Sequence, residues 1–280
     1  KGLGQLLLER QYLKAIKQKF PKNFDLILYS TPPITFFEII KYIKNRDNAF
    51  AYLLLKDIFP QNAVDMGMIK PRGVLHRFFQ KKEKKLYHIS DMIGCMSLAN
   101  KNYLLKHNPS IDPKKVEVNP NTIQPLTSTQ TEKQKITIKE KFSLPLDKKL
   151  FVYGGNLGVP QGINFLIKTI KEVTNKNAFF IIVGSGTQYK KISMWFDKTK
   201  PTNAFLISTL PKKDYDELLR CCDFGMIFLH KNFTIPNFPS RLLSYLEMRM
   251  PVIAATDKNT DIGQIIESNQ CGYWVEAGNI

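Results

Sequence analysis

The sequence has no apolar run near the roughly 20 residues that a membrane-spanning helix needs. Its opening stretch, "KGLGQLLLERQYLKAIKQKF", has apolar positions at helical spacing and charges throughout, so it lacks the pattern of a signal peptide and points to a cytoplasmic protein. Cysteine is sparse: Cys95, Cys221, Cys222 and Cys271 show no paired metal spacing, which leaves reduced core thiols as their simplest use, with Cys221 and Cys222 inside a helical pattern. The four histidines, His76, His88, His107 and His230, are scattered without ligand spacing. No "GxxxxGK[ST]" phosphate loop occurs, and "GSGTQY" (184–189) lacks the third glycine of the dinucleotide fingerprint. Neither ATP hydrolysis nor NAD binding is therefore supported. Basic residues are not interleaved with aromatic ones as in proteins that stack bases, so nucleic acid is not an expected partner.

Acidic residues are also few, 24 against 41 Lys and Arg, for a net charge of +17. Nucleic acid, an anionic membrane surface or a phosphate-bearing substrate would each suit that excess, as would a solvated lysine-rich surface with no partner. Composition does not choose among them. The length of 280 residues is enough for two domains, each with its own core.

From residue 25 the chain alternates strand-like and helix-like runs: "DLILYST", "ITFFEIIKYIKNR", "AFAYLLLKD", a basic helix over 72–89, "MIGCMS", "LANKNYLLKHN" and "KVEVNPN". Residues 122–148 are rich in Thr, Gln and Lys and read as a linker or a poorly ordered connection. The alternation restarts at "LFVYGG" (150–155) and continues through "AFFIIVGSG", "NAFLIST", "FGMIFLH" and "PVIAATD". Strands alternating with helices of this length indicate βαβ units and parallel sheets. The fold class is α/β, as two Rossmann-like domains facing each other across a cleft: 1–121, then the linker 122–148, then 149–280. The first domain is short for this architecture and the last run stops where another helix is expected, so structure is expected to be missing at both ends.

In open α/β sheets ligands bind outside the carboxyl ends of the strands. In the second domain those ends carry Gly154, Gly155, Asn156 and Gly158, then Gly184, Ser185 and Gly186, then Leu210. Glycine there either lets backbone approach a ligand or simply makes a turn. "FTIPNFPSRLLSYLE" (233–247) sets two prolines and an arginine ahead of an apolar helical pattern. A helix start near Pro239 is an anion site that Arg241 would reinforce.

In order and spacing, "FVYGGNLGVPQGINFLI", "IIVGSGTQYKKI", "PNFPSRLLSYLE", "PVIAATD" and "TDIGQII" resemble the donor-binding half of the retaining glycosyltransferases of family 4, which have the GT-B fold. Upstream, "YSTPPITF", "LLLKDIFPQNAVDMGM", "IGCMSLANKNYLL" and "NPNTI" resemble the acceptor half of a subgroup in bacterial capsule and O-antigen assembly, the fucosamine-type transferases. The resemblance spans Phe24 to Asn279. It implies sugar transfer from a nucleotide diphosphate sugar, UDP-linked, to a lipid-linked saccharide, with retention and no metal or other cofactor. The departing diphosphate would be stabilised by backbone amides and cations. The resemblance places Asn237, Phe238, Pro239, Ser240, Arg241 and Ser244 at the donor, and Asp57 as an acid near the acceptor. Asp57 could instead cap the turn of "DIFPQN".

The departures are specific. Asn156 and Gln161 stand where the family has an arginine and a lysine, and Pro236 and Ser244 where it has two glutamates. Glu247, three residues beyond Ser244, could take over a ribose contact or be a surface carboxylate. Arg241 thereby becomes the main candidate for the diphosphate and, with Asp57, for catalysis. In the basic helix over 72–89, Leu75, Phe78, Phe79 and Leu86 share one side, and Arg77, Lys81, Lys82, Lys84 and Lys85 lie largely elsewhere. Such a helix either lies in an anionic interface or packs on the sheet. The expectation is thus an enzyme peripheral to the inner face of the plasma membrane. A GT-B sugar-nucleotide epimerase and a non-catalytic basic binding protein for anionic polysaccharide or nucleic acid are the alternatives.

Overall fold

The computed structural model describes residues 2–20, 23–124 and 130–279. The chain divides into two compact units: residues 1–120 with 233–237, and residues 121–232 with 238–280. Each is an α/β unit built on a parallel sheet, as the alternation of strand-like and helix-like runs requires.

Unit 1 contains α1 (Gly2–Lys19), β1 (Leu26–Ser30), α2 (Phe37–Asp47), β2 (Phe50–Leu55), α3 (Gln61–Asp65), α4 (Val74–Ile89), β3 (Met92–Cys95), α5 (Leu98–His107) and β4 (Val116–Val118). Its sheet order is β1-β2-β3-β4, all parallel. Ile34, Ile40, Ala51 and Leu86 form a core between one sheet face, α2 and α4. β2 alternates, with Ala51, Leu53 and Leu55 buried and Phe50 exposed, as a strand covered on one face does.

The basic helix α4 is only partly the amphipathic element that its sequence suggests. Leu86 is fully buried and Phe79 packs on the core, whereas Leu75 and Phe78 remain exposed. The two pairs separate by direction and by position: Phe78 is turned away from the inner side that Phe79, Glu83 and Leu86 share, whereas Leu75 stands on that side but in the first turn of the helix. On the inner side Glu83 is buried and accepts a hydrogen bond from the Tyr87 hydroxyl (2.7 Å).

Unit 2 contains α6 (Glu132–Lys141), β5 (Lys149–Asn156), α7 (Ile163–Glu172), β6 (Ala178–Ser185), α8 (Tyr189–Thr199), β7 (Ala204–Ile207), α9 (Lys212–Leu219), β8 (Phe224–Phe228), α10 (Arg241–Glu247), β9 (Val252–Thr256), α11 (Ile262–Ser268) and β10 (Gly272–Glu276). α7 buries Ile163, Leu166, Ile167 and Ile170 at i, i+3, i+4 and i+7. β6 is buried nearly continuously, being covered on both faces. The sheet runs β10-β9-β8-β5-β6-β7. Counted from β5 this is the 3-2-1-4-5-6 order of a doubly wound dinucleotide-type fold, with its switch point between β5 and β8.

Three sequence expectations are corrected here. Residues 130–148 are not a linker: Thr131 accepts from the Gln134 amide (3.3 Å), and its own amide donates to Gln134 Oε1 (2.8 Å). This capping box starts α6, and Ile138 and Leu144 anchor the segment in the unit 2 core beside Leu218 and Leu219. Of the stretch expected as linker, 125–129 lies outside the described residues. Cys221 and Cys222 fall in the turn after α9 rather than inside it. Residues 233–237, expected within the second domain, group with unit 1. The Asp65 carboxylate accepts from the Thr234 amide (2.7 Å) and hydroxyl (2.9 Å), and the buried Asn100 amide donates to the Pro236 carbonyl.

Two outcomes test this packing. Ile138→Ala should lower the unfolding free energy by about 3 kcal/mol in a denaturant titration; a linker residue would leave it unchanged. Burial pushes the Glu83 carboxyl up from its ordinary value near 4.5 to about 7, with the Asp57 charge adding to the effect. Between those values the folded protein binds more protons than the unfolded chain, so stability falls as pH rises through the window, by about 3 kcal/mol in all. Glu83→Gln keeps an acceptor for Tyr87 and should remove that slope, raising the melting midpoint above wild type at pH 8 but not at pH 4.

Candidate functional site

At the carboxyl ends of the unit 2 strands lies a cavity of about 720 Å³. The end of β5 contributes Gly154, Gly155 and Asn156, and the end of β6 contributes Val183, Gly184 and Ser185. Thr209 and Leu210 follow β7, Lys212 and Tyr215 come from α9, and Ser240, Arg241 and Ser244 from the start of α10. Nine of the expected site residues are thus brought together, and four others join them: Val183, Thr209, Lys212 and Tyr215.

Arg241 is the centre of this arrangement. Its guanidinium carbon lies 4.3 Å from the centroid of the Tyr153 ring, a cation–π contact. Tyr153 and Tyr245 are fully buried beneath it. The Tyr153 hydroxyl donates to the Asn156 carbonyl (2.9 Å). The Tyr245 hydroxyl accepts from the Gly154 amide (3.4 Å) and faces the Val152 and Met226 carbonyls (3.2 and 3.1 Å). Burial pushes the Tyr245 phenol up to about 12 and raises Tyr153 and Tyr215 as well. Burial opposes the charge on Arg241, but the phenols around it outweigh burial and hold its pKa above the ordinary value. Its Nη1 is buried and has no hydrogen-bond partner.

Arg241 as a whole is half-buried, and an unmet donor on such a cation favours a negative group that meets it. Among the described residues no carboxylate lines the cavity. Lys212, the other cation on the rim, is tied to Asp216 (2.5 Å). The chemistry on offer is therefore recognition of an anion by Arg241, with hydroxyls of Ser240, Ser244 and Thr209 around it.

α10 starts at Arg241, two residues later than expected, and has seven residues with no side-chain cap. So short a helix has little macrodipole, and the anion character rests on the guanidinium rather than on the helix end. The glycines too have a different use from the one expected. A Cβ on Gly184, at φ +146°, would stand 1.8 Å from the Gly155 carbonyl oxygen, and one on Gly154 would stand 1.8 Å from the Tyr215 hydroxyl. These two make room for the chain's own atoms, which draws the strand ends together and seats Tyr215.

The remaining expected residues stand off the cavity. The Gly158 amide donates to Gln161 Oε1 (3.2 Å), and Gly186 turns the loop after β6. Phe238 packs on the core, the Pro239 carbonyl accepts from the Leu242 amide (3.2 Å), and Asn237 belongs to unit 1. Glu247 lines a recess with Asp223 and Arg249, and its charge also acts on Lys212 at the rim of the cavity. Tyr153 and Tyr245 escaped the sequence reading because each sits at an ordinary apolar position; the one available signal was a phenol in an otherwise apolar strand next to two glycines.

In unit 1, Asp57 follows β2 by two residues, and both its carboxylate oxygens accept from the Asn62 side chain (2.8 and 2.7 Å). It caps the turn into α3, one of the two roles open to it. Burial raises its pKa, and the Asn62 hydrogen bonds work against that rise. Among the described residues no group of three or more His, Cys, Asp or Glu could hold a metal ion. Nor is any described helix long and apolar enough to cross a membrane.

Comparison with known proteins bears on the family and the fold. The chain is 21% identical over 280 residues to a protein of Pseudomonas aeruginosa named probable glycosyltransferase WbjE, covering 98% of this chain and 67% of that one. The structure of Anabaena Alr3699/HepE in complex with UDP-glucose superposes with a TM-score of 0.71 at 14% identity, over 99% of this chain and 70% of that one. WaaG, a glycosyltransferase involved in lipopolysaccharide biosynthesis, superposes with a TM-score of 0.61 at 14% identity, over 86% and 68%. These likenesses establish the GT-B fold, with its two Rossmann-like units. Residues 134–280 match the profile of the family described as Glycosyl transferases group 1, and with over half of the chain matched the protein belongs to that family.

Proposed function

We propose that this protein transfers a sugar, with retention, from a nucleoside diphosphate sugar to a lipid-linked saccharide in the assembly of a bacterial surface polysaccharide, a capsule or O-antigen. The observation that carries the proposal is Arg241, half-buried on Tyr153 with an unmet Nη1 donor, in a cavity that no carboxylate among the described residues lines. The names of WbjE and WaaG support the reaction and its setting, and HepE, of the same fold, binds UDP-glucose. A UDP-linked donor is the natural first candidate.

As the bond from the anomeric carbon to the diphosphate breaks, negative charge grows on the leaving oxygen. A guanidinium already fixed in place stabilises that charge with no reorganisation at the moment of reaction. In same-face transfer the acceptor oxygen bonds to the anomeric carbon as the diphosphate leaves, and its proton passes to a leaving phosphate oxygen. Such a route needs no metal and no side-chain base. Asp57, a half-buried acid after β2, is assigned to orienting the acceptor hydroxyl, through lone pairs that Asn62 leaves free. An epimerase would need acid and base side chains in the cavity, and neither a carboxylate nor a histidine lines it.

The lipid-linked acceptor gives α4 a purpose, and with it a place at the inner face of the plasma membrane. Val74, Leu75 and Phe78 are exposed, and Arg72, Arg77 and Lys81 are exposed beside them. Apolar side chains next to cations suit an anionic lipid interface.

Two measurements test the proposal. At a hundredfold excess over Kd, UDP should raise the melting midpoint by about 5 °C or more, and Arg241→Ala should remove the response. A folded protein that responds to no nucleoside diphosphate would sink the donor site. In co-sedimentation with vesicles containing anionic lipid, replacing Leu75 and Phe78 together by serine should weaken binding about tenfold or more. Partition unchanged by that pair of substitutions rules α4 out as the membrane contact.

A further inference from the structure

Unit 1 holds a cavity of its own, of about 70 Å³, lined from α3, α4 and α5. Ile58, Pro60 and Leu104 are buried and give it an apolar floor. Glu83 reaches it from α4 as a carboxyl at 8% exposure. The Tyr87 hydroxyl occupies Oε1, and Oε2 has no hydrogen-bond partner among the described residues, which leaves it as the acceptor that the cavity offers. Two imidazoles line the same space in opposite tautomers. His76 Nδ1 accepts from the Arg72 amide (2.9 Å), so Nε2 of the neutral ring carries the hydrogen. His107 Nδ1 meets the Tyr103 carbonyl (2.8 Å) and must donate to it, which makes Nε2 an acceptor. Donors and acceptors thus stand together, a set that hydroxyl groups match because each both donates and accepts. A cationic ligand would meet Lys84 and an anionic one Glu83, so the lining favours a neutral ligand. Tyr103 and His107 stack with ring centroids 4.0 Å apart, giving a flat wall on which the C–H face of a sugar ring fits.

We propose, on the reading that unit 1 binds the acceptor, that this cavity is a saccharide subsite: a hydroxyl or hydroxymethyl of the acceptor sugar donates to Glu83 Oε2, and the ring rests on the Tyr103–His107 stack. The space is too small for a whole ring, so one edge enters and the rest stays at the mouth. Its position suits that use. Ile58 and Pro60 come just after Asp57 in the chain, and the Asp57 charge is felt at Glu83. Asp57 then orients the hydroxyl that reacts, and Glu83 reads another hydroxyl of the acceptor.

Carboxyl-carbon NMR of the full chain labelled at glutamate reads the site directly at about pH 8, where Glu83 is ionised, and Glu83→Gln identifies its signal. The probes are the methyl glycosides of glucose, galactose, mannose and N-acetylglucosamine, with dissociation constants taken from ligand-observed NMR. At least one glycoside should shift the Glu83 signal saturably. Glu83→Gln keeps an acceptor for Tyr87 and should weaken that glycoside about tenfold, through loss of the charge-assisted hydrogen bond. His107→Ala, at an exposed position, should weaken it too, and carries the comparison should Glu83→Gln fail to fold. A Glu83 signal that none of the glycosides moves overturns the subsite. So does binding indifferent to both substitutions, since the sugar is then elsewhere. Either result leaves the transferase reading standing as long as UDP raises the melting midpoint. A wild-type chain that responds to no nucleoside diphosphate overturns that reading instead, and with it the assignment of a bound sugar as acceptor.

Discussion

The site in unit 2 depends on keeping one guanidinium charged where no carboxylate balances it. Arg241 is half-buried, and withdrawing even part of a lone cation from water is unfavourable unless something compensates its charge. The chain offsets it with aromatic faces rather than with a counter-ion. Tyr153 presents its ring to Arg241, and Tyr215 and Tyr245 complete a wall of phenols whose own ionisation is suppressed by burial. A carboxylate would have neutralised Arg241 and closed the site to anions. Phenols hold the cation in place and leave its charge available.

That wall constrains the backbone around it. Tyr245 needs partners for a hydroxyl at 0% exposure and finds them in the peptide groups of Val152, Gly154 and Met226. Gly154 must lack a side chain for Tyr215 to stand where it does, and Gly184 must lack one for the β6 end to approach Gly155. The strand order then places these ends beside the switch point between β5 and β8, where crossovers leave in opposite directions and open a crevice. Sheet topology, glycine placement and the charge on Arg241 are one connected arrangement.

This explains which features were legible in the sequence. Continuous apolar runs such as "AFFIIVGSG" and the i, i+3, i+4, i+7 pattern of α7 report burial directly, so the two parallel sheets and the rim of the cavity followed from them. Direction in three dimensions did not follow. Ser244 and Glu247 are one helical turn apart, yet Ser244 lines the cavity and Glu247 lines a recess with Asp223 and Arg249, a difference that spacing along α10 does not encode. Likewise α4 has a recognisable apolar side, but periodicity says nothing about how much of the helix the sheet covers; Phe79 is packed and Leu75 is not. The segment 130–148 looked like a linker because two apolar anchors, Ile138 and Leu144, are a weak signal among many polar residues. The docking of 233–237 on unit 1 rests on side chains of Asp65 and Asn100 more than a hundred positions away, which no local pattern encodes.

An unmatched buried charge also has a consequence for catalysis. In the free protein Arg241 is a destabilising element, since Nη1 meets neither partner nor solvent. An anion relieves that strain in proportion to the charge that it brings close. On the proposed function, a bound diphosphate ester would relieve part of it, and the departing diphosphate, carrying one further developing negative charge, would relieve more. The interaction therefore strengthens along the reaction coordinate, which is the condition for binding energy to lower a barrier rather than merely deepen the ground state. A salt-bridged arginine would have to break its pair to act. One held on phenol rings is ready when the charge develops, and some stability of the empty site is the cost of that readiness.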